Sequence, residues 1–145
     1  RAMETFEKSI IINALPEKVF EYIDEPMNDP EWMIGMVEVH EVEGPPGVGR
    51  HFRWTFKMVG VPLKGQSTTI EHVPNRRTVT ESQGGVSSTW AADVEPEGEG
   101  TKLTMKVEYA IPVPVLGKLA EQLISKQNQR NLESSMETIK EMLEA

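Results

Sequence analysis

The chain has 145 residues, 38% of them hydrophobic and 26% charged, and its 15 Lys and Arg against 23 Asp and Glu give a formal charge of −8. That acidic balance, with no basic patch, argues against nucleic acid and against charge-driven docking on an anionic membrane. It has no cysteine, which removes disulfide frameworks, thiolate zinc sites and cysteine nucleophiles together. The length suits one domain with its own core, which we take to span residues 4–145. No apolar run approaches the ~18 residues of a membrane span and no signal peptide opens the chain, so the expectations are no stable membrane insertion and a cytoplasmic location.

The β-branched run in Thr5 to Ala14, with Ile10, Ile11 and Ile12, predicts a first strand. Pro16 stands where a helix start tolerates it, and Val19, Phe20 and Ile23 form a short apolar helical stripe. Asp29-Pro30-Glu31-Trp32 predicts a second short helix, with Asp29 as N-cap and Pro30 at its first position. From Met36 onward turn residues recur regularly. Gly44-Pro45-Pro46-Gly47 separates strands near Val37–Val42 and Arg50–Val59, and Gly60-Val61-Pro62 separates the latter from Leu63–Val73. Pro74-Asn75 precedes Thr78–Ser82, Gly84-Gly85 precedes Val86–Val94, and the acidic segment 95–100 precedes Thr101–Ile111. Strands punctuated in this way predict an antiparallel meander.

Three of these strands alternate cleanly. Phe52, Trp54, Phe56 and Met58 share one side, opposite Arg53, Thr55 and Lys57. Val86, Ser88, Trp90, Ala92 and Val94 share another, as do Leu103, Met105, Val107, Tyr109 and Ile111. One face is therefore covered and the other wet. Pro112-Val113-Pro114 then leads into a helix pattern from Leu116 to Leu143, the one element long enough to cover the sheet. Its first apolar stripe is Leu116, Leu119, Ala120, Leu123 and Ile124; its second is Leu132, Met136, Ile139, Met142 and Leu143. At roughly 100° per residue the two are rotated apart, and the polar run 127–131 lies between them. Gln127 and Asn131 fall on the surface joining the stripes. Either this stretch is exposed by a kink, or its amides face the sheet across a cavity that a ligand or water fills.

In this order of elements the chain resembles the START-like, helix-grip (SRPBCC) superfamily, in its polyketide cyclase/dehydrase and lipid transport branch. The resemblance rests on Ile10-Ile11-Ile12-Asn13-Ala14 with Pro16-Glu17-Lys18-Val19-Phe20, and on Asp29-Pro30-Glu31-Trp32. It continues through Gly49-Arg50, Thr89-Trp90, Gly100-Thr101-Lys102-Leu103 and the Leu132–Leu143 helix. It implies an α+β helix-grip fold: a seven-stranded antiparallel curved sheet wrapped around the long C-terminal helix, with two short helices after the first strand. It also implies a pocket for an apolar ligand. The cyclases resembled here are expected to point an arginine and a tryptophan into that pocket from neighbouring strand positions. Here Trp54 alternates inward, but its same-face neighbours Phe52, Phe56 and Met58 are apolar and Arg53 points away.

The inward aromatic residues Phe52, Trp54, Phe56, Trp90 and Tyr109 form a core and, as a set, can wall a pocket for a planar or acyl ligand. The hydroxyl of Tyr109 can fix a polar end. Trp32 closes the second short helix, where it either staples that helix to the sheet or, as the resemblance implies, stands beside the pocket mouth. Met27, Met33, Met36 and Met58 either fill gaps in the core or offer adaptable apolar surface. The proline-stiffened Val113, Val115 and Leu116 are read as a hydrophobic rim. The ligand-binding set is therefore Trp32, Phe52, Trp54, Phe56, Met58, Trp90, Tyr109, Gln127 and Asn131.

No catalytic residue is nominated. His40, His51 and His72 lie on different strands without metal-ligand spacing. Ser67, Ser87 and Ser88 lie in no Gly-x-Ser-x-Gly elbow. Asp24, Glu25 and Asp29 cluster at a helix start, where capping accounts for them; Glu71, Glu81 and Asp93 fall on strands. No metal and no cofactor is expected. The leading reading is binding or carriage of a hydrophobic small molecule, lipid or polyketide-like, by a monomer or homodimer. A polyketide cyclase, dehydratase or aromatase is the alternative, and a chaperone-activator-like interaction module a further one.

Overall fold

The computed structural model describes residues 3–110 and 118–145. Strand β1 (Met3–Ile12) leads into helix α1 (Pro16–Asp24), a 3-10 turn (Pro26–Asn28) and the four-residue helix α2 (Asp29–Trp32). Six strands follow: β2 (Met36–Glu43), β3 (His51–Met58), β4 (Val61–Val73), β5 (Arg77–Gly84), β6 (Ser88–Glu97) and β7 (Gly100–Ala110). Helix α3 (Lys118–Glu144) ends the chain. The strands form one antiparallel seven-stranded sheet in the order β1-β7-β6-β5-β4-β3-β2. Thus β2 to β7 run as a meander, and β1 closes against β7 with Phe6 opposite Val107 and Ile12 opposite Thr101.

The predicted elements are all present, with shifted ends. The β3–β4 turn is Val59-Gly60, not residues 60–62: both residues have positive φ, 50° and 80°, between the paired Met58 and Val61. This left-handed pair matches the twist of the flanking strands, although a β-branched residue is strained there. Val61 and Pro62 join β4. Proline is tolerated because β4 pairs with β5 only from Gly65 onward, leaving an edge at that end. Strand β6 starts at Ser88, two residues later than expected, yet Val86 still turns into the core.

Packing separates the two halves of α3. Leu132, Met136, Ile139 and Leu143 recur at helical spacing and are buried. Each such side chain contributes about 1.5–3 kcal/mol on burial. Polar contacts fix this half at both ends: the Ile34 N–H donates to Ser135 Oγ at 2.9 Å, and Lys140 Nζ donates to the Ile11 carbonyl at 2.7 Å. The first apolar stripe behaves otherwise. Leu119 and Leu123 are 71% and 60% exposed, and Ile124 is partly buried against the core. Apolar spacing alone did not distinguish a half that meets the sheet from one that does not. The expected rim at Val113, Val115 and Leu116, with Ile111, lies outside the described residues. Among the described residues no helix is long and apolar enough to cross a membrane.

Candidate functional site

A cavity of about 160 Å³ lies between the inner face of the sheet, α2 and the middle of α3. Strand alternation builds its aromatic wall. Phe52, Trp54, Phe56 and Met58 on β3, Trp90 on β6 and Tyr109 on β7 all line it, and α2 adds Trp32. Trp32 meets Trp90 edge-on, with ring centroids 6.2 Å apart. The Trp54 indole lies across Gly65 of the neighbouring strand, where a Cβ would sit 2.5 Å from its Cζ2 atom. Glycine at that position is what admits the ring.

The floor is polar. Ser67 and Thr69 on β4 face Ser82 and Thr80 on β5 in register, and Ser88 on β6 stands opposite Ser82. All five hydroxyls line the cavity, as does Thr78. Trp54 Nε1 donates to Ser67 Oγ at 2.9 Å, and the Ser67 and Ser82 hydroxyls hydrogen-bond to each other. These positions repeat every second residue, as an inward strand face must. Because Ser and Thr alternate on β4 and β5 without a change of polarity, Ser67, Thr69, Thr80 and Ser82 do not stand out as an inward face in the sequence, whereas Ser88 shares its side with Val86 and Trp90.

Eight of the nine residues expected to bind a ligand are brought together here, and Gln127 is not. It lies exposed on α3 and donates through Nε2 to Asn131 Oδ1 at 2.9 Å. One residue further, about 100° around the helix, Asn128 lines the cavity and donates to the Tyr109 hydroxyl. Asn131 lines it too, so the amide surface inferred between the stripes is Asn128 and Asn131. Burial is the larger influence raising the Tyr109 pKa; the Asn128 hydrogen bond opposes it and the charge of Glu4 adds to it. Met33, Met36 and Met58 line the cavity, whereas Met27 is exposed.

Asp29 corrects a further expectation. It is the first residue of α2, not its cap; Asn28 precedes the helix, and no side chain caps it. The Asp29 side chain is only 8% exposed and lines the cavity. Burial, followed by the charge of Glu25, holds its pKa well above the usual carboxylate range. The other carboxylates of this corner have partners. Asp24 Oδ2 lies 2.9 Å from His72 Nε2, Glu25 Oε1 lies 3.5 Å from Arg50 Nη2, and Glu31 accepts from the Tyr22 hydroxyl at 2.9 Å. An acid beside a proline at a helix start reads as capping chemistry, and that hid Asp29 in the sequence.

Solved structures share this architecture. TTHA0849 from Thermus thermophilus superposes with a TM-score of 0.83 at 22% identity, covering 97% of each chain. The Zhui aromatase/cyclase from Streptomyces sp. R1128 gives 0.82 at 13% identity over 99% of this chain and 94% of that one. The di-domain ARO/CYC StfQ from the steffimycin biosynthetic pathway gives 0.78 at 17% identity, over 98% of this chain and 51% of that one. At these identities the likeness establishes the helix-grip fold. No curated protein matches the sequence. The family description "polyketide cyclase / dehydrase and lipid transport" matches residues 3–144. Over that nearly complete span, the chain belongs to the polyketide cyclase / dehydrase and lipid transport family.

Proposed function

We propose that the chain, acting as one domain over residues 4–145, binds or carries a hydrophobic small molecule in the cavity between sheet and helix. The observation that carries this reading is the cavity itself, about 160 Å³ walled by seven aromatic side chains, Phe6 among them, and floored by hydroxyls. Apolar burial supplies affinity at about 25 cal/mol per Å² before ordering costs. The hydroxyls and the Tyr109–Asn128 pair supply orientation. The proposed contacts are Trp32, Phe52, Trp54, Phe56, Met58, Trp90, Tyr109 and Asn131, with Asn128 in place of Gln127. The charge of −8 supports the absence of a nucleic-acid partner; a cytoplasmic monomer or homodimer is part of the proposal. Native mass spectrometry of freshly purified protein tests the reading. The expected result is an adduct above the bare chain mass that disappears on extraction with organic solvent. Bare mass alone, both as purified and after incubation with oleic acid and 2-naphthol, contradicts it.

A cyclase, dehydratase or aromatase is the second reading, favoured by one observation: the Asp29 carboxyl lines the cavity, where burial raises its pKa. General acid–base work requires such a group within reach of substrate. The superposition on a protein named an aromatase/cyclase supports it further. Recovery of a polyketide-like compound at altered mass after incubation separates this reading from simple carriage.

A further inference from the structure

We propose that Asp29 and Trp32, three residues apart on α2, form a hydrogen-bond-donating anchor for the ketone or phenolic oxygen of an otherwise apolar ligand. This rests on the reading of the cavity as a ligand site and specifies the ligand's polar end.

Both groups are buried at the cavity. Trp32 is 4% exposed, lines the cavity, and its indole N–H reaches no acceptor. Asp29 also lines the cavity and is 8% exposed, and burial, followed by the charge of Glu25, raises its pKa. Residues three apart share one helical face, so the two side chains leave α2 in similar directions. Burial raises a carboxyl's pKa and favours its protonated form, and a protonated carboxyl is a donor. An unsatisfied buried donor such as the Trp32 N–H is costly, and a carbonyl oxygen with its two lone pairs can accept from both the indole and the Asp29 carboxyl.

The surroundings argue for a neutral polar end. Among the described residues no Lys or Arg lines the cavity, so a carboxylate ligand meets no counter-charge there. The titratable and charged groups around Asp29 are Glu25, Asp24 with His72, Glu31 with Tyr22, and Arg50 on Glu25. Elsewhere in the wall, Tyr109 is matched with Asn128, and Trp54 with Ser67 and Ser82. In the α2 corner the Trp32 indole N–H has no acceptor among the described residues.

Equilibrium dialysis with 2-acetylnaphthalene and its oxygen-free analogue 2-ethylnaphthalene tests the anchor, using the wild type, Asp29→Ala and Asp29→Asn. Asp29→Ala is expected to weaken ketone binding about tenfold, the scale of one lost hydrogen bond to a buried group, while 2-ethylnaphthalene binding stays within about twofold. Asp29→Asn retains an N–H donor, so it keeps ketone binding. Its affinity is flat with pH, whereas wild-type affinity for the ketone falls as rising pH ionises Asp29. Equal changes for both ligands overturn the anchor. So does binding of 2-(aminomethyl)naphthalene that Asp29→Ala abolishes while ketone binding is untouched, since Asp29 would then be a counter-ion. If neither neutral naphthalene binds the wild type, the cavity reading itself falls and the anchor with it.

Discussion

Asp29 carries a consequence for stability that is separate from binding. Its pKa in the folded chain is raised, chiefly by burial, above the unfolded value of about 3.9. The folded state therefore holds a proton that the unfolded state releases once pH exceeds that value. The stability tied to Asp29 is fully present below about pH 4 and declines as pH rises toward the folded-state pKa. Asp29→Asn removes this dependence. Urea denaturation should show the variant gaining on the wild type at about pH 8, with the gain vanishing near pH 4. A difference that does not change with pH would mean that Asp29 is not held neutral. Around it, a single residue also decides how the wall is shaped: Gly65 admits the Trp54 ring. The resulting indole hydrogen bond engages a serine pair that spans β4 and β5.

At the scale of elements, α3 divides into a half held by the sheet and a half that is not. Met136 and Ile139 are fully buried, whereas Leu123 is largely exposed. Met136→Ala or Ile139→Ala is expected to cost about 2–5 kcal/mol in urea denaturation, and Leu123→Ala under about 0.5 kcal/mol. Comparable losses would show that the leucine stripe is part of the folding core. The same helix shows what the sequence could and could not reveal. Leu132, Met136, Ile139 and Leu143 were readable because spacing at the helical period and burial agree there. Leu119 and Leu123 have that spacing without the burial, because periodicity reports a face and not what covers it. The aromatic wall was legible from alternation on β3 and β7. The floor at Ser67, Thr69, Thr80 and Ser82 was not, since small hydroxyl residues alternate without changing polarity. Gln127 missed the cavity by one residue, the distance over which a helix turns about 100°.

For the whole molecule, the order of elements decided the architecture. A meander of six strands closed by β1 leaves a single inner face, and α2 with the middle of α3 covers it incompletely, leaving the cavity. All three tryptophans of the chain, Trp32, Trp54 and Trp90, line that space. Bound ligand therefore cannot avoid them, and tryptophan emission reports on the cavity directly. Titration with 2-acetylnaphthalene, whose absorption overlaps that emission, is the measurement that bears most directly on the central claim. The account predicts saturable quenching with one site per chain, lost when Thr80→Phe fills the cavity. Quenching that rises linearly without saturation, or that is identical in the filled variant, would contradict it.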